Sequence, residues 1–322
     1  MLAAAATSLH PDAPLDGLTI GEMPDPQPAD GWVRIAVKAA SLNHHDLWSL
    51  KGVGLAADRL PMILGCDAAG VLEDGTEVIV HGVIGDPAAG GGDETLDPRR
   101  SLLSEVYPGT LADYVCVPER NVLPKPDVIS FADAACLPTA WLTAYRMLTT
   151  KAQVQPGQTV LVQGVGGGVS TAAIALAKQL GARVWATSRD EAKREAAIDL
   201  GADEAFEPGA RLPERVDAVM ESVGEATWSH SLKSLRPGGR LVVCGATSGP
   251  NPPADLNRVF FLQLEVLGST MGTREELAAL IDLVAASGIR PTVASTYSLA
   301  QARQGFAQLA DGDVIGKIVI TP

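Results

Sequence analysis

The sequence predicts an α/β protein of two domains, a β-rich domain and a doubly wound parallel sheet. Two patterns support this fold class. Up to about residue 120, short apolar runs alternate with turn signals, and from about residue 123 strand-like runs alternate with helical patterns. The length of 322 residues points the same way, because it exceeds what one ordinary core accommodates.

The first part of the chain carries the pattern of short strands. Residues 32–37, 77–80 and 114–117 read WVRIAV, EVIV and YVCV, and Asp-Gly or Pro-Gly pairs separate such runs. Apolar and β-branched residues bounded by turn residues are typical of strands. Residues 85–97 (GDPAAGGGDETLD) show no periodicity, and we expect an exposed loop there.

The second part alternates strands with helices, which predicts a parallel sheet because each connection must cross back over the sheet. The predicted strands are residues 159–163, 183–187, 217–220, 240–244 and 264–267, and the predicted helices are residues 131–148, 169–180, 191–200, 227–235 and 275–286. We place the parallel-sheet domain at residues 123–287. The β-rich domain then comprises residues 1–122, joined by the C-terminal segment 288–322, which ends in a strand-like run.

Charge and composition favour a cytoplasmic globular protein. The net charge of −13 argues against binding to nucleic acid or to an anionic membrane surface. No apolar run approaches the roughly 20 residues that cross a bilayer, and the Ala-rich start lacks the basic region of a signal peptide. The four cysteines are far apart without a CxxC pair, so we expect neither a disulfide framework nor a cysteine-rich zinc lobe.

A glycine cluster lies between a predicted strand and a predicted helix in residues 159–180 (TVLVQGVGGGVSTAAIALAKQL). Glycines remove the Cβ atoms where the backbone turns sharply, and they let a pyrophosphate approach main-chain N–H groups at the positive end of the helix. This strand–turn–helix context is what a dinucleotide-binding motif requires. Ser170 departs from the usual pattern, which has a close-packing glycine there. The predicted cofactor-binding residues of this turn are Gly164, Gly166, Gly167, Gly168 and Val169.

The end of the next strand predicts which dinucleotide binds. NAD-specific proteins hold the ribose 2′-hydroxyl with a carboxylate about 20 residues after the turn. Here Thr187 ends the predicted strand, and Ser188 and Arg189 follow in place of a carboxylate. Arg189 can pair with a 2′-phosphate, Ser188 can donate to it, and Lys193 adds charge. We therefore predict NADPH as the cofactor; the alternative is that Arg189 and Lys193 are ordinary solvated charges at a helix start.

Several motifs together resemble the medium-chain dehydrogenase/reductase superfamily. Besides the glycine turn, they are SLNHHDLW at 41–48, PMILGCDAAG at 61–70, GTLADYVCVP at 109–118, LPTAWLTAYRML at 137–148, SLKSLRPGGRLVVCGATSG at 231–249, LGSTMG at 267–272 and GKIVI at 316–320. Together these motifs span nearly the whole chain. The resemblance implies a GroES-like catalytic domain, a Rossmann dinucleotide-binding domain and a cofactor cleft between them.

The same resemblance bears on the question of a metal. Zinc-dependent members of the superfamily carry a cysteine, a histidine and a second cysteine as catalytic ligands, and by position those slots hold Asn43, Cys66 and Thr139 here. The structural-zinc lobe with its four cysteines is also missing. This combination resembles the quinone oxidoreductase branch, which works without a metal, and we predict no metal site.

Without a Lewis acid, the accessible chemistry is hydride delivery to an acceptor that is already electron-poor. We predict an NADPH-dependent oxidoreductase that reduces a quinone or an α,β-unsaturated carbonyl compound. One alternative is a zinc-dependent alcohol dehydrogenase with atypical ligands, in which His44 or His45 joins Cys66 and Asp67. The other is a non-enzymatic NADPH-binding protein. Relatives in this family are commonly oligomers, and we predict a homodimer.

The predicted catalytic residues lie in the motif that contains the two adjacent histidines. Asn43 is expected to contact the substrate or the nicotinamide ribose, His44 is a candidate proton donor, and Asp46 is expected to act chiefly as a hydrogen-bonded anchor of its loop. Lys317 is expected to reach the pyrophosphate. The cofactor contacts predicted outside the glycine turn and the 2′-phosphate site are Asn43, Thr143, Ser222, Val223, Gly245, Ala246 and Lys317.

Overall fold

A computed structural model describes the whole chain, residues 1–322. Its strands are β1 (Leu2–Ala6), β2 (Leu18–Glu22), β3 (Trp32–Ser41), β4 (Met62–Ile63), β5 (Asp67–Leu72), β6 (Glu77–Val80), β7 (Val83–Ile84), β8 (Ser101–Leu102), β9 (Tyr114–Pro118), β10 (Val122–Pro124), β11 (Thr159–Val162), β12 (Arg183–Thr187), β13 (Glu204–Phe206), β14 (Val216–Glu221), β15 (Leu235–Val243), β16 (Glu265–Gly268), β17 (Val293–Ser298) and β18 (Lys317–Thr321). Its α-helices are α1 (His44–Leu50), α2 (Phe131–Ala135), α3 (Leu142–Arg146), α4 (Gly168–Gln179), α5 (Glu191–Asp199), α6 (Glu225–Ser234), α7 (Leu256–Phe261), α8 (Arg274–Ser287) and α9 (Ala302–Asp311). None of these helices combines the length and apolar character that a bilayer-spanning helix requires.

The chain packs as two compact units, which we call unit 1 (residues 1–142 and 271–322) and unit 2 (residues 143–270). Residues 123–142 and 271–287 therefore pack with unit 1, although the sequence assigns them to the parallel-sheet domain. Long-range contacts hold the second segment there: His81 Nε2 donates to Gly272 O at 2.9 Å, and Arg274 N donates to Glu94 Oε1 at 2.8 Å. Helical periodicity carries no information about such contacts. The domain limits as drawn from the sequence remain a prediction.

Unit 1 is built on mostly antiparallel sheets. Its largest sheet has the order β10-β6-β5-β3-β18-β17, with β9 also paired to β3, and a three-stranded sheet has the order β2-β1-β4. The C-terminal strand β18 pairs antiparallel with β3, with Val319 opposite Ser41. Apolar side chains such as Ile35, Leu64 and Phe306 are fully buried in its core. The β-rich part of the predicted fold class is confirmed.

Unit 2 is a six-stranded parallel sheet in the order β13-β12-β11-β14-β15-β16. All four residues of β11 are buried, which explains why the sequence shows a continuous apolar run rather than an alternating one. The strand order reverses between β11 and β14, and sheets of this type bind ligands at the carboxyl ends of the strands beside such a reversal. The predicted Rossmann-type sheet is thereby confirmed.

Two local predictions differ from the structure. Residues 131–148 do not form one helix, because π-helical segments at Leu137–Trp141 and Met147–Lys151 interrupt the α-helical pattern; Pro138 has no N–H to donate to a regular helix. The loop at residues 85–97 is not wholly exposed. The side chain of Glu94 is fully buried, and its carboxylate lies 3.8 Å from His81 Nδ1. Glu94 also accepts from the backbone N–H of Arg274, 180 residues further along the chain, and this distant contact cannot be predicted from the loop sequence.

Candidate functional site

Gly164 and Gly167, both in the glycine turn of unit 2, differ in backbone conformation and in what surrounds them. Gly164 has φ +74°, and a Cβ added there would lie 2.5 Å from Cγ2 of Val223. The protein itself therefore requires glycine at this position. Gly167 has φ −70°, and a Cβ added there would meet nothing within 4 Å. The open space beside Gly167 would let a ligand approach its backbone closely, and glycine is also an accepted N-cap residue.

The N-terminus of α4 is available to an anion. Gly167 is the N-cap residue, and no side chain caps the helix. The hydroxyl of Ser170 bonds to backbone groups of the turn: it accepts from Gly166 N at 3.2 Å and donates to Gly167 O at 2.9 Å. The serine that departs from the usual glycine pattern thus braces the turn. Uncapped N–H groups at the positive end of a helix suit the pyrophosphate of a dinucleotide.

A cation follows the end of β12, and no carboxylate comes between this strand and Asp190. Arg189 is exposed immediately after this strand. The nearest carboxylate, that of Asp190, is the N-cap of α5 and accepts from Lys193 N at 3.1 Å. Arg194, which the sequence did not single out, holds the turn by donating from Nη1 to Ser188 O at 2.8 Å. An exposed guanidinium at this position can pair with a phosphate group.

The turns after β14 and β15 are hydrogen-bonded to each other. Cys244 N donates to Glu221 O at 3.0 Å, and Ser248 N donates to Val223 O at 2.7 Å. Because Val223 also lies against Gly164, the structure brings the predicted residues Ser222, Val223, Gly245 and Ala246 to the same edge of the sheet as the glycine turn. Burial raises the pKa of the Cys244 thiol to about 12, so the thiol stays protonated.

In unit 1, the predicted site residues Asn43 and Lys317 belong to one buried network. Lys317 is 3% exposed, and its ammonium donates to Leu42 O at 2.7 Å, to Asn43 Oδ1 at 2.6 Å and to Asp67 Oδ2 at 3.3 Å. Asn43 Nδ2 and Ser41 Oγ also donate to Asp67 Oδ2, at 2.8 and 2.7 Å. All three hydrogens of the Lys317 ammonium are thereby used. A pyrophosphate contact by Lys317, as the sequence predicted, would have to break this network.

Asp67 is the residue of this network that sequence reasoning used only as a possible zinc ligand. Its side chain is fully buried, and its Oδ1 atom has no hydrogen-bond partner. The signal in the sequence was weak, because a single acidic residue at the start of a strand resembles many others. Its partner Lys317 lies 250 residues further along the chain, and the two come together because β18 and β5 both pair with β3.

His44 and Asp46 lie on α1 but differ in environment. Asp46 is fully buried, and its carboxylate accepts from Asn43 N at 2.8 Å and from Gly65 N at 3.0 Å. Burial raises the pKa of Asp46 to about 6. These two contacts are those of the loop anchor that the sequence predicted. His44 lies at the exposed start of the helix, and its pKa is lowered by partial desolvation and by the Lys317 ammonium.

Of the three positions that correspond to the family's catalytic zinc ligands, two have side chains engaged in hydrogen bonds here. The buried Cys66 thiol donates to Leu103 O at 3.2 Å, and burial raises the pKa of Cys66 well above its ordinary value. The amide of Asn43 is engaged by Asp67 and Lys317. The hydroxyl of Thr139 is buried without a hydrogen-bond partner. No group of three or more His, Cys, Asp or Glu side chains in the chain is arranged to hold a metal ion.

Two family models match this chain. Residues 29–127 match "Alcohol dehydrogenase GroES-like domain", and residues 168–286 match "Zinc-binding dehydrogenase". The chain is 30% identical to an acryloyl-coenzyme A reductase of Metallosphaera sedula, over 95% of this chain and 96% of that protein. It is 29% identical to an acryloyl-coenzyme A reductase of Sulfurisphaera tokodaii, over 96% of this chain and 98% of that protein.

Longer proteins and solved structures are similar as well. A segment of the spectinabilin polyketide synthase system protein NorB of Streptomyces orinoci is 32% identical, and the chain spans 14% of that relative's length. The crystal structure of an NAD-dependent alcohol dehydrogenase superposes with a TM-score of 0.91 at 34% identity, over 100% of both chains. The 2-octenoyl-CoA carboxylase reductase CinF, in complex with NADP and 2-octenoyl-CoA, superposes with a TM-score of 0.90 at 26% identity, over 99% of this chain and 87% of that chain.

The two glycines of the turn should respond differently to alanine. Gly164→Ala should lower the free energy of unfolding by about 2–4 kcal/mol, because the new Cβ is strained at positive φ and overlaps Val223. Gly167→Ala should lower the free energy of unfolding by at most about 1 kcal/mol, because alanine is a poorer N-cap residue than glycine. It should weaken NADPH binding by about tenfold, through the loss of close approach to the pyrophosphate. Urea unfolding and NADPH fluorescence titration measure the two effects. Equal NADPH affinity for Gly167→Ala and wild type would contradict this account.

Asp46 should make the protein less stable as pH rises from about 4 to about 6. Its carboxyl binds a proton at pH about 6 in the folded state and at its ordinary value of 3.8 in the unfolded state. Within this window the folded state holds the extra proton, so the contribution present at low pH is lost as pH rises. Urea unfolding at several pH values should show this slope for wild type and its absence for Asp46→Asn.

Asp74→Asn is the control for the pH experiment. Asp74 lies in an exposed turn, where the backbone N–H of Thr76 lowers the pKa of its carboxyl. The shift has the opposite sign, so removal of this carboxylate should leave the decline between pH 4 and 6 in place. Parallel pH profiles for wild type and Asp46→Asn would mean that the buried carboxyl titrates alike in both states.

Proposed function

Because the chain belongs to the medium-chain dehydrogenase/reductase superfamily of NAD(P)-dependent oxidoreductases, we propose that it reduces the carbon–carbon double bond of an α,β-unsaturated carbonyl compound with NADPH. We include thioesters among these substrates. Two relatives that match along nearly their whole length are named acryloyl-coenzyme A reductases, and one structural relative carries NADP and an enoyl thioester. We further propose that the reaction needs no metal ion.

The chemistry of the three zinc-ligand positions carries the metal-free proposal. An asparagine amide and a threonine hydroxyl are poor ligands for zinc compared with thiolate and imidazole. The remaining thiol, that of Cys66, donates a hydrogen bond and is held protonated by burial. An alkene conjugated to a carbonyl is already electron-poor at its β-carbon, so it accepts hydride without a Lewis acid. An unactivated ketone lacks this advantage as a hydride acceptor.

The residues of unit 2 account for cofactor binding. The uncapped start of α4 would hold the pyrophosphate, and Arg189 with Ser188 would hold the 2′-phosphate. The joined turns at 222–224 and 245–246 would orient the nicotinamide ring. Bound NADPH supplies a hydride equivalent. The protein's contribution is orientation and exclusion of water around the reacting atoms.

The second hydrogen of the product arrives as a proton. His44 is the exposed titratable group among the predicted catalytic residues, but its lowered pKa leaves it uncharged near pH 7. Asp46 is buried and already accepts two backbone hydrogen bonds. Hydride addition leaves a carbanion next to the carbonyl group of the substrate, and we therefore assign its protonation to solvent water. The balance is NADPH, one proton and the unsaturated substrate giving NADP⁺ and the saturated product.

A substrate panel tests this proposal. We expect NADPH oxidation with acryloyl-CoA, 2-octenoyl-CoA or a simple enone, substoichiometric zinc in the purified protein, and no loss of rate on incubation with a chelator. Quinones form the comparison class, since they accept hydride by the same route. Alcohol oxidation that disappears with chelation of a stoichiometric zinc would favour an alcohol dehydrogenase with atypical ligands. Tight NADPH binding without turnover on any acceptor would favour a non-enzymatic role.

Arg189→Gln should change the preference between the two nicotinamide cofactors. The loss of a guanidinium–phosphate pair should raise the Kd for NADPH by about 10- to 100-fold and leave that for NADH within about twofold. Arg211→Gln is a matched control, because Arg211 is also exposed in unit 2 but lies after β13. Fluorescence titration with both cofactors measures the ratio. An unchanged ratio in Arg189→Gln would remove the 2′-phosphate role.

The predicted homodimer also remains a proposal. Strand β16 lies at the edge of the parallel sheet, and Val266 on this strand is exposed. An unpaired strand edge is a surface on which a second copy can add its own strand.

A further inference from the structure

The carboxylate of Glu221, which is not among the predicted cofactor contacts, lies beneath the turn at residues 222–224. Glu221 is the last residue of β14, and its side chain is fully buried. Its Oε1 accepts from Val223 N at 2.8 Å and from Gly224 N at 3.1 Å. Thr227 Oγ1 lies 2.9 and 2.8 Å from its two oxygens, and Ser231 Oγ donates to Oε2 at 2.6 Å. The carboxylate therefore sets the backbone of this turn directly.

The hydrogen bonds continue from Glu221 to the glycine turn. Gln163 Nε2 donates to Ser231 Oγ at 3.0 Å, and Thr187 Oγ1 donates to Gln163 Oε1 at 2.6 Å. Gly164 N in turn donates to Thr187 Oγ1 at 3.3 Å. We call this series, Gly164–Thr187–Gln163–Ser231–Glu221, the polar chain. It joins the ends of β11, β12 and β14, from which the three predicted parts of the dinucleotide site emerge.

The direction of each hydrogen bond in the polar chain is determined by its ends. His230 Nε2 lies 2.9 Å from Ala210 O, which can only accept, so this nitrogen carries a proton, and in the neutral imidazole Nδ1 is then an acceptor. Gln163 Nε2, 2.9 Å from that Nδ1, must therefore be the amide nitrogen. At the other end, the carboxylate of Glu221 can only accept. Ser231 consequently points its hydrogen at Glu221 and receives one from Gln163.

We propose that Glu221 is a positioning residue of the dinucleotide site, which holds the turn at 222–224 and, through the polar chain, ties it to the glycine turn. This inference rests on the proposed function, because it assumes that NADPH binds at this edge of the sheet. Glu221 is too deeply buried to touch the cofactor. Its effect is to make the surfaces that bind the nicotinamide and the phosphate halves move as one hydrogen-bonded unit.

Glu221→Gln tests the role of the carboxylate. The substitution keeps the size and shape of the side chain but places an N–H₂ group where the Ser231 hydroxyl needs an acceptor. Two hydrogen-bond donors then face each other at this end of the polar chain. We expect the Kd for NADPH to rise by about tenfold or more, and the single-turnover rate of NADPH oxidation with 2-octenoyl-CoA to fall by a similar factor. Ser234→Ala is the control, because Ser234 is a buried serine of the same helix that bonds only to His230 O.

The double variant distinguishes a connected chain from general damage. In Glu221→Gln/Ser231→Ala the conflicting hydroxyl is gone, and the new amide can donate to Thr227 instead. We expect the double variant to bind NADPH about threefold more tightly than Glu221→Gln alone. If Glu221→Gln does not fold, Ser231→Ala alone should weaken NADPH binding by about threefold, since it removes the hydroxyl that links Glu221 to Gln163.

The outcomes separate this inference from the proposed function. Wild-type protein that fails to bind NADPH would overturn both. Wild-type binding with Glu221→Gln unchanged in Kd and in single-turnover rate would overturn the positioning role alone. Equal losses in Ser234→Ala, or purely additive losses in the double variant, would overturn the polar chain and attribute the effect to weakened packing of α6.

Discussion

Each unit of this protein contains a buried carboxylate at one end of a strand, and this carboxylate organises the backbone and side chains around it. Asp67 begins β5 and Glu221 ends β14, and both side chains are fully buried. A buried charge is tolerated only where donors replace the lost water. In unit 1 those donors come from Ser41, Asn43 and Lys317; in unit 2 they come from the turn and the helix that follow the strand. The local geometry of both candidate sites follows from meeting this requirement.

The requirement changes how the predicted catalytic residues should be understood. Asn43 stands where zinc-dependent relatives place a ligand, but its amide is held between Lys317 and Asp67 and is 8% exposed. Its main physical role in this structure is to connect a cation to an anion. The same Lys317 ammonium contributes to the lowered pKa of His44. Unit 1 therefore contributes a preorganised polar framework, while the exposed groups that suit a dinucleotide are concentrated in unit 2.

Unit 2 shows why a nucleotide site of this kind can be rigid although it is built from turns. Gly164 is pressed against Val223, Ser170 braces the glycine turn, and the turns after β14 and β15 share backbone hydrogen bonds. Each turn would be mobile by itself, since turns expose backbone groups that water can satisfy equally well. The contacts and hydrogen bonds that the turns share restrict this motion. A surface that is already ordered loses less conformational entropy when it binds its ligand.

The sequence by itself determined the fold class and the glycine turn, because both depend on local pattern. Strand–helix alternation requires a parallel sheet, and the glycine cluster between a strand and a helix is visible within a few residues of chain. The serine and arginine that follow β12 are equally local, and their role in selecting the cofactor remains a prediction. Tertiary structure alone decided the roles of Lys317, Asp67 and Glu94, whose partners lie as many as 274 residues away in the chain. Glu221 differs, because its partners lie within ten residues and tertiary structure decided only that its side chain is buried. Whether a charged side chain faces solvent, a ligand or a buried partner depends on which strands become neighbours, and no local pattern encodes that.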